Sequence, residues 1–154
     1  MELPIRLVYK DAVIPSYKTD GAACLDLYAH SVSGEENLDW YSTEIPPFET
    51  KVFNTGIAIG IPKGYVGLIF ARSGTSTVRG LRPANCVGVI DSDYRGQILV
   101  PIHNDFKKTQ TIHAGERIAQ IGFFEVEVAG LKLVQELDVT KRGDGGFGST
   151  GADG

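Results

Sequence analysis

A glycine or proline falls about once in every six residues of this chain, and that density limits its fold more than any other feature. Nineteen glycines and seven prolines are spread through 154 residues. Long helices do not survive such interruption, whereas short strands joined by turns do. With 42% apolar and 22% charged residues, the chain has the means to pack one core of ordinary domain size. Strand-like segments recur between the breakers: Ile5–Tyr9, Ala23–Tyr28, Lys51–Ile61, Tyr65–Ala71, Asn85–Ile90, Gln97–Asn104, Gln110–Ile112, Ile118–Glu127 and Leu131–Leu137. Only Ser73–Arg79 reads as a helix, with Ser73 as its N-cap and Gly80 as its stop. The expected fold is therefore all-β: a sandwich, barrel or jelly roll. His30–Pro47, a longer polar connection holding the single tryptophan, Trp40, reads as an inserted hairpin or loop. Residues 140–154 are rich in glycine with little to bury, so a single domain over 1–139 is expected to carry a mobile C-terminal segment.

Charge and composition exclude several functions. A net charge of −4 gives no basic surface for general nucleic-acid binding. The N-terminus lacks the apolar stretch of a signal peptide and no 18-residue apolar run occurs, so neither a membrane nor export is expected and the protein is expected in the cytoplasm. Cys24 and Cys86 lie in apolar runs and read as buried free thiols. His30, His103 and His113 are scattered, without the spacing of a zinc site.

Five segments offer chemistry. Ala23-Cys24-Leu25-Asp26-Leu27 places an acid among apolar neighbours, which is costly unless it is paired or near a cation. Ala71-Arg72-Ser73-Gly74 ends a strand and opens the short helix, where free N–H groups favour an anion. Gly88 to Gly96, Gly-Val-Ile-Asp-Ser-Asp-Tyr-Arg-Gly, reads as strand, turn and strand; it presents Asp91, a carboxylate able to serve as general base on water, beside Tyr94. In Gly115-Glu116-Arg117-Ile118-Ala119-Gln120 a turn enters a strand, and Gln120 is a polar contact among apolar residues. The C-terminal run from Arg142 to Gly151 suits phosphates, but Ala152-Asp153 stand where a P-loop requires Lys and Ser/Thr. Local arginines, glycine amides and a divalent cation together suit a triphosphate on an acidic protein, and hydrolysis with a metal template and one carboxylate base is the economical mechanism.

The order and wording of these segments resemble the five motifs of the trimeric dUTPases, the deoxyuridine triphosphate nucleotidohydrolases, from Ala23 to Gly151. The resemblance implies a distorted jelly roll with one short helix. It also implies a homotrimer with active sites shared between chains, and cleavage of dUTP to dUMP and pyrophosphate with Mg²⁺. Asp91 resembles the family's general base, and Asp26 the acid that holds the metal through water. Tyr94 matches the ring packed on deoxyribose, and Asn85 and Gly88 belong to the hairpin that reads uracil. Arg72, Ser73, Gly74 and Gln120 match phosphate binders. In the tail, Arg142 would meet the γ-phosphate and Phe147 would stack on uracil, while Gly148, Ser149 and Thr150 would help close the site. Cys24 departs from the usual glycine of the first motif. A dCTP deaminase of the same superfamily would need a glutamate in the hairpin, and none is there. A nucleotide-switched binding module is the alternative from another class.

Overall fold

The computed structural model describes residues 1–34 and 40–146. Its elements in chain order are β1 (Ile5–Leu7), β2 (Leu25–Tyr28), β3 (Ser31–Val32), β4 (Ser42–Ile45), β5 (Thr50–Asn54), β6 (Ile57–Ile59) and β7 (Tyr65–Phe70). The helix α1 (Ser73–Arg79) follows, then β8 (Leu81–Pro83), β9 (Gly88–Ile90), β10 (Leu99–Asn104), β11 (Gln110–His113) and β12 (Arg117–Glu125). Two four-stranded sheets, ordered β3-β5-β10-β8 and β2-β12-β7-β9, are accompanied by the pairs β1-β6 and β11-β4. The described strand pairs are antiparallel. This is the all-β fold expected from the breaker density, in the jelly-roll-like form that the resemblance implies.

One apolar cluster joins all four sheets. Leu27, Ile69, Ile118 and Ile121 come from one large sheet, and Val32, Phe53, Val100 and Ile102 from the other; the small pairs add Ile45, Ile112, Ile57 and Ile59. In β10 the alternation is clear: Val100, Ile102 and Asn104 point inward, and the residues between them are less buried. Asn104, fully buried, is the polar exception. Its Nδ2 donates to the carbonyls of Ile45 (2.9 Å), Pro46 (3.2 Å) and Lys108 (2.9 Å), and its Oδ1 accepts from the Phe106 amide (3.0 Å). One side chain thus ties two loops to the sheet, a network that a buried amide needs to offset its desolvation.

The elements differ from expectation in four places, each for a physical reason. The segment Lys51–Ile61 is divided into β5 and β6 because Gly56 takes φ +75°, a turn conformation that breaks the ladder. The helix spans Ser73–Arg79 as expected and stops at Gly80 with φ 65°, where a Cβ would collide with the Phe106 ring. Its N-cap is Arg72 rather than Ser73, without a side-chain cap bond. The His30–Pro47 connection is not a separate hairpin: β3 joins β5 while β4 joins β11, and Trp40 packs on Phe53 with ring centroids 6.0 Å apart. Lastly, residues 126–146 contain neither helix nor strand, so the strand expected over Leu131–Leu137 has no partner among the described residues. Cys24 and Cys86 are free, but neither is fully buried: Cys24 is half-buried and Cys86 is exposed.

Candidate functional site

The first of two site regions is built across β2 and β12. Their register sets Asp26 opposite Gln120, and Gln120 opposite Phe70 at the end of β7. The chain leaving β7 therefore carries Arg72 directly to the Asp26 carboxylate. Arg72 Nε donates to Asp26 Oδ1 at 2.8 Å, and Arg117 Nη1 donates to Oδ2 at 3.1 Å. The cost of burying this acid, only 7% exposed, is met by two guanidinium groups. Arg72 Nη1 also donates to the Arg117 carbonyl (3.2 Å) and to Thr75 Oγ1 (3.3 Å), which fixes its plane. Gln120 Nε2 donates to the Ala71 carbonyl at 2.8 Å, tying β12 to the same turn.

These residues, with Ser73 and Gly74, line a cleft of about 210 Å³. Ser73 and Gly74 are exposed, and no atom lies within 4 Å of where a Gly74 Cβ would stand, so the backbone there is open to a ligand. Two arginines against one carboxylate leave the cleft net positive inside a net acidic protein. Cys24 lines the same cleft, and burial pushes its thiol pKa up, the opposite of a reactive cysteine.

Arg117 joins this cleft although the sequence pattern points to Gln120, three positions on, and not to it. In a regular strand two residues three apart face opposite sides. The β2–β12 register shifts between Arg117 and Ala119, and this irregularity lets both side chains reach one cleft. Only the Gly115-Glu116 turn before the strand hints at it.

The second region is the turn after β9. Ile90 pairs with Gly67, and the chain then turns so that the Tyr94 amide donates to the Asp91 carbonyl at 3.2 Å. Arg95 Nη1 bonds the carbonyls of Ser92 (2.7 Å) and Tyr94 (2.8 Å), fastening the turn from outside. The Tyr94 hydroxyl donates to the Gln97 carbonyl at 2.8 Å, and the ring lies so close over Gly96 that a Cβ there would overlap it. Asp91 is exposed, and among the described residues its carboxylate has no ion-pair or side-chain partner. Beside the turn, Asn85 and Gly88 help line a separate concavity of about 140 Å³ with Ile69 and Leu99. A side chain at Gly88 would crowd Ile69 Cβ (3.1 Å) and Asn85 Nδ2 (3.4 Å).

The two regions do not meet within one chain. Asp26 lies on β2 and Asp91 follows β9, the opposite edges of the β2-β12-β7-β9 sheet. Three strand spacings across and four residues along separate them by about 20 Å. Arg142 lines neither cleft: its Nε donates to the Gly145 carbonyl at 2.7 Å in an exposed turn. Phe147, Gly148, Ser149 and Thr150 lie outside the described residues.

A family model described as dUTPase matches residues 10–151. A deoxyuridine 5'-triphosphate nucleotidohydrolase of Desulfitobacterium hafniense is 44% identical, covering 98% of this chain and 97% of the relative. One of the same name from Serratia proteamaculans is 43% identical over 92% of this chain and 89% of its own length. Among solved structures, a mutant dUTPase of Staphylococcus bacteriophage 80alpha with dUpNHpp superposes with a TM-score of 0.80 at 28% identity, covering 97% of this chain and 98% of that one.

Proposed function

Since the chain belongs to the dUTPase family and is thereby a nucleotide hydrolase, we propose that it cleaves dUTP between the α- and β-phosphates, giving dUMP and pyrophosphate. The observation that carries this reading is the division of labour between the two regions. One is a net-positive cleft whose acid is paired with two arginines, and the other is an exposed acid, unpaired among the described residues, beside an aromatic ring. The first suits a polyphosphate and the second suits a base acting on water.

In this reading Arg72, the backbone at Ser73 and Gly74, and Gln120 receive the phosphates. Arg117 and Asp26 hold the Arg72 guanidinium in its plane, so the donors are preorganised before substrate arrives. Asp91 accepts a proton from the water that attacks the α-phosphorus, and the pyrophosphate leaves in line. Tyr94, immobilised by its hydroxyl bond and by Gly96, packs against the deoxyribose and leaves no space for a 2′-hydroxyl. Asn85 and Gly88 border the concavity for uracil. Arg142, Phe147, Gly148, Ser149 and Thr150 close over the γ-phosphate and the base, shielding the reaction from bulk water.

The donor set also bears on Mg²⁺. Among the described residues no three His, Cys, Asp or Glu side chains form a metal cage. Mg²⁺ keeps several waters and commonly needs only one or two carboxylates besides substrate phosphates. Asp26 meets that need: each of its oxygens accepts one guanidinium bond, leaving a lone pair for a metal-bound water. The chemistry Mg²⁺ supplies when bound with substrate is charge withdrawal from the phosphates and a fixed template for them.

A separation of about 20 Å between the two regions exceeds what one catalytic step can bridge, which supports a site assembled between copies in a homotrimer. The exposed arm agrees. Leu131 and Leu133 are each 99% exposed and Val139 is 97% exposed, an apolar segment suited to lie against another copy. Removing dUTP would limit uracil incorporation into DNA and supply dUMP for thymidylate synthesis. That work belongs with the cytoplasmic nucleotide pool; no helix among the described residues is long and apolar enough to cross a membrane. The test is pyrophosphate release from dUTP against dTTP, dCTP and UTP, with and without Mg²⁺. Preferential, Mg²⁺-dependent turnover of dUTP is expected; ammonia release from dCTP would indicate a deaminase instead.

A further inference from the structure

Lys18 lies outside every motif discussed so far, yet it lines the arginine cleft together with Asp26 and Arg72. It also lines a neighbouring concavity of about 430 Å³ formed by the Tyr17–Ala22 loop, so it stands at the boundary between the two. The loop is anchored at the site itself, for the Asp26 amide donates to the Ser16 carbonyl at 3.3 Å. A further turn bond, from the Ala22 amide to the Thr19 carbonyl at 3.1 Å, shapes its far side.

The Lys18 ammonium is held by neutral groups. Its Nζ donates to Ser16 Oγ at 3.2 Å and sits 5.4 Å from the centroid of the Tyr28 ring. Among the described residues no carboxylate lies within ion-pair distance of it. A hydroxyl and a π-face orient a cation without neutralising it. At the same rim, the charges of Arg72 and Arg117 are partly consumed by Asp26. Lys18 is thus an oriented cation of the cleft that no carboxylate among the described residues neutralises.

We propose that Lys18 is a substrate-positioning residue that binds the β- and γ-phosphates of the nucleotide, an inference that rests on the dUTP reading of the cleft. In that reading the α-phosphate sits where Asp91 of another copy reaches the cleft, and Lys18, where the cleft opens into the neighbouring concavity, meets the outer phosphates. Lysine serves here as a point charge on a long stem, able to follow the polyphosphate as pyrophosphate separates. No bond is made or broken through it, so its contribution falls on binding rather than on the chemical step.

The experiment compares wild type with Lys18→Met, which keeps the aliphatic stem against Tyr28, and with Lys18→Arg, which keeps the charge. Steady-state dUTP hydrolysis, inhibition by dUMP and calorimetric binding of magnesium tripolyphosphate are measured for each. For Lys18→Met, KM should rise and tripolyphosphate binding should weaken by about three- to tenfold, the range for one partly exposed charge-assisted contact. Its kcat should hold within about twofold, inhibition by dUMP should not change, and Lys18→Arg should restore most of the loss. Unchanged KM and tripolyphosphate affinity in Lys18→Met would overturn the proposal, as would equal weakening of dUMP, which signals a merely structural loop. If wild type hydrolyses no dUTP, the functional reading fails, and the tripolyphosphate arm still decides the role of Lys18.

Discussion

The two acids of this molecule are treated in opposite ways. Asp26 is buried and gripped by Arg72 and Arg117, whereas Asp91 stands exposed on a turn with no described side-chain partner. A carboxylate whose oxygens are each committed to a guanidinium is fixed in place as part of the cleft wall, because removing it would strand two cations. A carboxylate on a turn held by backbone bonds, with no described cation beside it, has both oxygens open to a water molecule. Burial and pairing, rather than residue type, separate a scaffold acid from a candidate base.

The largest expected effect comes from removing the free acid. Asp91→Asn should fold normally and bind substrate but lose about 10² to 10⁴ in kcat, the usual cost of a missing general base; turnover near wild type in a folded variant would break the contrast. Asp26→Asn should act first on stability. It removes the counter-charge of two guanidiniums, and with Arg72 and Arg117 partly exposed the expected cost is about 2 kcal/mol rather than the full penalty of a buried pair. Chemical denaturation of the two variants side by side checks this, since Asp91→Asn should lie within about 0.5 kcal/mol of wild type. If the two variants lose equal stability, the acids are not distinguished by their environment.

Tyr94→Ala should narrow the preference for dUTP over UTP by about tenfold or more, read from the ratio of kcat/KM values. The smallest effect is the sharpest probe of the turn. In Gly96→Ala the added methyl occupies the space of the Tyr94 ring, so the ring must shift and the sugar preference should narrow in the same direction but less, about threefold. A preference unchanged in Gly96→Ala but narrowed in Tyr94→Ala would show that the ring's present position is not what discriminates.

What could be read beforehand follows from the range of the forces involved. The runs forming β7, β10 and β12, and the helix with its Gly80 stop, depend on local pattern and were legible in the chain. So was the problem posed by Asp26, an acid among apolar residues, although its answer was not: Arg72 and Arg117 lie 46 and 91 positions away. Arg117 was hidden by the register shift that lets it share a cleft with Gln120. Asn104 gave no signal because its partners are backbone carbonyls and an amide, groups that carry no mark of residue type. The segment Leu131–Leu137 has the composition of a strand, but a strand forms only when it pairs, and among the described residues it is paired with no edge.

The central claim is that the Asp26 cleft of one copy works with the Asp91 turn of another. It is tested most directly by mixing two inactive variants, Asp91→Asn and Arg72→Gln, through joint unfolding and refolding into mixed assemblies. If sites are shared, copies with an intact turn complete copies with an intact cleft, and an equal mixture should recover about a quarter of wild-type dUTP hydrolysis. Activity no higher than the average of the two separate variants, in assemblies shown to be mixed, would contradict the claim and confine the site to a single chain.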